Sequence, residues 1–130
     1  MANPNLLAAT TASGTTTYYT PSGTTAVVLV PNAASSGQVF KINQIVVANV
    51  TGSAANATVA VYTNGGVAQG SAPSGGTAYP IISAVSVPAN ASLIAVDKTT
   101  AIYLMEDRSI SITAGTGSAL TFTISYEVIS

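Results

Sequence analysis

From Leu120 to Val128 the chain alternates without a break. Leu120, Phe122, Ile124, Tyr126 and Val128 are apolar, and Thr121, Thr123, Ser125 and Glu127 between them are polar. Successive side chains of a strand point to opposite faces, so a period of two makes one greasy face and one wet face. A helix, with its period of 3.6, would scatter the same residues around its circumference. The pattern returns briefly at 108–113, where Ile110 and Ile112 alternate with Ser109, Ser111 and Thr113. β-Branched and aromatic residues fill 15–20 and 24–30, parted by the turn-forming Pro21-Ser22-Gly23, and Pro31 is expected to end the second run. Residues 57–63, 81–87, 92–96 and 101–105 read as further strands. Eight or nine strands at spacings of about 8–12 residues, with no convincing helix, predict an all-β fold: an antiparallel β-sandwich, jelly-roll-like.

Two local features sharpen this expectation. In QVFKINQIVVANV (38–50) the apolar phase switches at Asn43-Gln44, from Phe40 and Ile42 to Ile45 and Val47, which predicts a β-bulge or a crossing between sheets. AGTGSA (114–119) holds the glycines that a hairpin loop needs, so the last two strands are expected to form a hairpin.

The 130 residues suit one domain. It is expected over 15–130, behind an N-terminal arm at 1–14. The segment NGGVAQGSAPSGG (64–76) carries five of the eleven glycines and no charge, and it is expected to be a mobile or partner-ordered loop. Surface scaling predicts a folded area of roughly 6,300 Å² for this mass, with about two-thirds of the unfolded surface buried.

Charge is scarce. Lys41, Asp97, Lys98, Glu106, Asp107, Arg108 and Glu127 are the only charged side chains, where an ordinary domain has roughly a quarter of its residues charged. Histidine, cysteine and tryptophan are absent. Three basic residues cannot neutralise a run of phosphates, so neither nucleic acid nor an anionic membrane is an expected partner. A zinc site lacks its usual ligands, and no loop has the alternating oxygens of a calcium site, so no metal or cofactor is expected. Acid–base work would fall to Glu106 and Asp107, which read better as a tight turn before Arg108, solvated or paired with it. No catalytic residue is assigned. Sequons at Asn49, Asn56 and Asn90 read as chance in a chain rich in Asn, Ser and Thr.

What remains are surfaces. Leu6 and Leu7 are candidate anchors for a neighbouring subunit or, equally, caps on the domain's own core. Tyr18 and Tyr19 fall on opposite faces of one strand, so one of them is a candidate contact. Gly65, Gly66, Gly70 and Tyr79 mark the candidate partner loop. Exposed tyrosines also suit sugars, although half-buried sheet tyrosines are commoner.

VPANASLIAVDK (87–98), AIYLMEDRSISITAG (101–115) and LTFTISYEVIS (120–130), preceded by IVVANVTGSAANATVAVYTN (45–64), resemble small β-sandwich virion proteins of tailed bacteriophages, those of cyanobacterial phages in particular. The shared marks are the acidic turn Leu104-Met105-Glu106-Asp107 and the ending Ser125-Tyr126-Glu127. The resemblance implies a capsid decoration (cement) protein, or a tail or fibre component, with no catalytic residues. It also implies the major capsid protein or other virion proteins as partners. Residues 1–14 lack the basic start and apolar stretch of a secretory signal, which fits synthesis in a host cytoplasm and residence in the virion. A homo-oligomer is expected, a trimer for the threefold positions a capsid offers.

Overall fold

The computed structural model describes residues 4–130. Nine strands follow in order: β1 (Ala12–Tyr19), β2 (Val27–Asn32), β3 (Val39–Asn49), β4 (Ala55–Tyr62), β5 (Ala78–Val87), β6 (Ser92–Val96), β7 (Ile102–Leu104), β8 (Arg108–Ala114) and β9 (Leu120–Ile129). The only helical pieces among the described residues are 3-10 turns at Leu6–Ala8 and Lys98–Thr100. All strand pairs are antiparallel.

One sheet, here sheet A, runs β1-β9-β3-β6, with β7 also on β3, and sheet B runs β2-β8-β4-β5. β7 pairs with Phe40–Ile42 and β6 with Ile45–Ala48, so these two short strands share one position beside β3. Counted that way, the order 1-9-3-6 facing 2-8-4-5 is that of a jelly roll: eight strand positions in two Greek keys. The accessible area of 6236 Å² agrees with the sequence-based expectation for one packed domain.

The inward positions build the core. Leu120, Phe122 and Ile124 from β9 meet Ile42, Ile45 and Val47 from β3, and all are fully buried against Val59, Ile110 and Ile112 of sheet B. The phase switch in β3 is a bulge: the register against β9 shifts between Ile42 and Gln44. That slip lets one long strand present apolar residues to the core on both sides of Asn43.

Three sequence expectations need correction. β8 and β9 lie in different sheets, so 114–119 is a crossover and no hairpin. Its ends explain why: Ala114, Ala119 and Leu120 are fully buried, and the loop spans the thickness of the core between them. The hairpin actually present joins β4 to β5. Pro31 does not end β2; it pairs with Ser109 inside the strand. β2 is an edge strand, and an edge tolerates a residue without an amide proton. β1 also starts at Ala12, inside the segment expected to be an arm.

The 64–76 loop is bonded to the domain itself. Val28 donates its amide to the Ser71 carbonyl (2.9 Å) and accepts from the Gly70 amide (2.8 Å), so the loop pairs with the free edge of β2. Ser109 donates its hydroxyl to the Asn64 carbonyl, and the Gly76 amide donates to the Tyr62 hydroxyl. Gly65 is buried, and a Cβ there would lie 1.9 Å from the Asn32 carbonyl oxygen. Only glycine fits.

Two buried asparagines tie the sheets together. Asn32, at the end of β2, donates to the carbonyls of Gln38 (3.0 Å) and Leu104 (3.1 Å) and accepts from the Ser36 hydroxyl. Asn49, at the end of β3, donates to the carbonyls of Ser53 (2.8 Å) and Val87 (3.0 Å). Its Oδ1 accepts from the amide and hydroxyl of Thr51. Leu104 belongs to sheet A and Val87 to sheet B, so each asparagine reaches the opposite sheet. One acts where β3 begins and the other where it ends.

Candidate functional site

Three of the four acidic residues serve turns of the fold: Asp97 caps the 3-10 turn at Lys98–Thr100, and Glu106 and Asp107 bind loop amides. Glu106 is buried and accepts the Gly37 amide, while Asp107, at φ 57°, accepts the Gly65 amide. Arg108 turns back to donate to the Asp107 carbonyl (2.8 Å). The turn before Arg108 is there as expected, but Glu106 is not solvated, because its carboxylate clasps the β2–β3 loop. Among the described residues no group of three or more acidic, His or Cys side chains gathers as a metal site would require. No helix among them is long and apolar enough to cross a membrane.

The distinctive surface is the outer face of sheet A. The registers place Tyr18, Thr123, Val46 and Ile94 in one row across β1, β9, β3 and β6. The next row is Thr16, Ser125 and Gln44. Gly14, Glu127, Lys41 and Tyr103 form a third, ending on β7. Tyr18, Ile94 and Tyr103 are 69%, 58% and 51% exposed, a large apolar area for one sheet face. Lys41 and Glu127, cross-strand neighbours of opposite sign, are the only charges in these rows.

The N-terminal segment borders this face. Thr10 and Thr11 donate their amides to the Ser130 carbonyl, which carries the chain past the end of β9. Leu6 then reaches Val39 and Tyr103, forming an apolar hollow of about 280 Å³ with Pro4 and Met105. A second hollow, of about 460 Å³, is lined by Leu6, Ala9, Lys41, Tyr103, Glu127 and Ile129, among others. Leu7, 99% exposed, touches no core. The pair Leu6 and Leu7 therefore divides: one side chain leans on the sheet, and the other projects into solvent.

The other predicted site residues do not converge. Tyr19 faces inward, half-buried beside Gly70. Tyr79, 60% exposed, lies on β5 of sheet B, apart from Tyr18 on β1 of sheet A. Gly65 is buried beneath the loop, while Gly66 is exposed. Sheet B differs from sheet A in one decisive respect. Val28, opposite Ser111, and Ser109, opposite Pro31, hold positions of sheet B turned away from the core, yet both are fully buried and both bond the 64–76 loop. The chain covers one outer face with its own loop and leaves the other bare.

Few groups on this molecule respond to pH. The Thr99 hydroxyl and the amides of Thr99 and Thr100 hold the Asp97 carboxyl below its ordinary value, and burial pushes the Tyr126 hydroxyl above its own. A depressed carboxyl contributes stability above its unfolded pKa and loses it as pH falls through the lower folded value. A raised tyrosine contributes below its unfolded pKa and loses that as pH rises through the higher folded value. With no histidine between them, the melting temperature is expected to be flat from about pH 5 to pH 9 and to decline outside that window. Calorimetry across that range checks it; a mid-range step would contradict it.

These features define a class: a jelly-roll β-sandwich whose Glu106 and Asp107 serve its own loops and whose one uncovered sheet face sets exposed Tyr18, Ile94 and Tyr103 among hydroxyl and amide side chains, with Lys41 and Glu127 its only charges. Scans of the chain against models of known families, curated proteins and solved structures find no match.

Proposed function

We propose that this chain is a non-enzymatic structural protein of a virion, a capsid decoration protein that bridges and stabilises neighbouring capsid subunits. The supporting observation is the bare outer face of sheet A, with Tyr18, Ile94 and Tyr103 exposed around a single Lys41–Glu127 pair. Jelly rolls serve capsid and lectin domains alike, so the fold does not choose between functions and the surface must.

Four strands at about 4.8 Å spacing and about 30 Å long give a flat patch of roughly 600 Å², near the ~800 Å² per partner of a standard interface. Such a contact works by area and shape, with little desolvation of charge to oppose it. One copy binds modestly, and many copies on a repeating lattice add by multivalency. Clamping adjacent capsid subunits in this way resists the outward pressure of packaged DNA.

The alternative, a tail or fibre module for a host glycan, needs an aromatic platform. Tyr18 and Tyr79 stand on different sheets, and Tyr103, on the same face as Tyr18, lies two rows away on the opposite side of the sheet. The test is re-decoration of phage heads that lack this protein, viewed by electron microscopy. Saturable binding in a regular array over the shell is expected. Bare heads, with the protein found only at tail tips, would overturn the reading.

A further inference from the structure

A jelly roll has four open sheet edges, and three of them are blunted here. β2 carries Pro31 and is paired at Val28 by the 64–76 loop. β5 holds Pro80, two register shifts against β4 and the positive-φ residue Ala84. The fourth-position edge is broken into β6 and β7 by the Asp97-capped turn, with a further register shift at Ile45/Val46. Proline, bulges, short strands and covering loops are the usual defences of an edge against pairing with another chain.

β1 has no proline, bulge or break, and the 64–76 loop reaches it only at its far end, where Gln69 donates to the Thr17 hydroxyl and Gly70 lies beside Tyr19. The eight residues of β1, ASGTTTYY, contain no proline and no charge, and they pair with β9 from Ala12↔Ile129 to Tyr19↔Phe122 without a register shift. Ala12 to Thr16 are exposed at every position, on both faces of the strand. Among the described residues, no other element bonds its backbone. The preceding segment turns towards Ser130 and Val39, away from the free side. From Ala12 to Thr16 this leaves an open edge about 17 Å long, a row of amides and carbonyls for a strand to complete.

We propose that β1 is the dimer contact of this protein, pairing antiparallel with β1 of a second copy about a twofold axis normal to sheet A. The other three edges are closed to it, so the edge's available complement within the chain is itself, and such a contact closes at two copies. A strand without charge meets its own copy with no like-charge repulsion. The twofold joins the two bare faces into one continuous sheet of eight strand positions, with hydroxyls and Tyr18 along the seam. This rests on the edges alone and stands whether or not the protein decorates a lattice. It replaces the threefold contact expected from capsid symmetry with a twofold one.

A ladder of this length buries less than a standard interface, so a reversible dimer with a dissociation constant on the order of micromolar is expected. Sedimentation velocity over the micromolar range reads it directly. Thr15→Pro and Thr16→Pro test the edge, since neighbouring amides of a strand point to opposite sides. One of the two variants should become monomeric with its melting temperature retained, and the other should lose a bond to β9 and melt earlier. The chain has no cysteine, so Cys placed singly at Gly14, Thr15, Thr16 and Thr17 reports the axis: the residue opposite its own copy should form a covalent dimer. A monomer at all concentrations, an oligomer that survives both prolines, or no cross-link at any of the four positions would each overturn the proposal.

Discussion

Asn32→Ala and Asn49→Ala are each expected to cost about 2–4 kcal/mol, because each leaves buried backbone carbonyls without a donor while removing a side chain that bridges the sheets. In a domain of this size that lowers the melting temperature by roughly 10 °C per variant. For Asn32 the orphaned carbonyls are those of Gln38 and Leu104, and for Asn49 those of Ser53 and Val87. Asn43 is the internal control. Its Oδ1 is buried at the β3 bulge with no partner among the described residues, so Asn43→Ala should change stability by less than about 1 kcal/mol. Thermal melts of the three variants give the ranking. Equal losses at all three positions would mean that the asparagines are felt as volume and not as bridges.

The fold class, the strands and the bulge are legible in the sequence, and the strand pairing and the covered face are not. The period of two located every strand, and the phase switch at Asn43-Gln44 located the bulge, because both are local properties of side-chain alternation. Which strand pairs with which is not local. Gly115 and Gly117 suit a hairpin as well as a crossover, and the choice is made by where Leu120 and Ala114 find their core. Asn49-Val50-Thr51 reads as a glycosylation sequon, yet its spacing serves to let Thr51 donate back to Asn49. Buried at 3% exposure, that asparagine is no acceptor for a sugar in the folded chain. Glycine amides bonding Asp107 and Val28 left no trace in the composition of 64–76, which looked like slack chain. The candidate site suffered most. Alternation shows that each sheet has an outer face, but not that the chain's own loop covers one of them. Val46, Ile94, Tyr103 and Thr123 were therefore missed, although their strands were assigned.

The second large effect concerns association. Tyr18→Lys and Ile94→Lys point outward from well-exposed positions at the two ends of one cross-strand row, so each should leave stability within about 0.5 kcal/mol. In a closed apolar interface each would bury an unpaired ammonium, and the pair together should weaken binding to the shell about 100-fold or more. The matching substitution on the opposite side, Tyr79→Lys, should leave binding unchanged. Occupancy of re-decorated heads, read by densitometry against free protein concentration, measures all three.

The most direct test of which surface is used is hydroxyl-radical footprinting of the assembled particle against the free protein. Tyr18, Tyr103 and Met105 border the bare face of sheet A, and Tyr79 reports from sheet B. All four are exposed in the free chain. The account predicts that the first three lose reactivity on assembly while Tyr79 keeps its own. Protection of Tyr79 with Tyr18 and Tyr103 still fully reactive would contradict it.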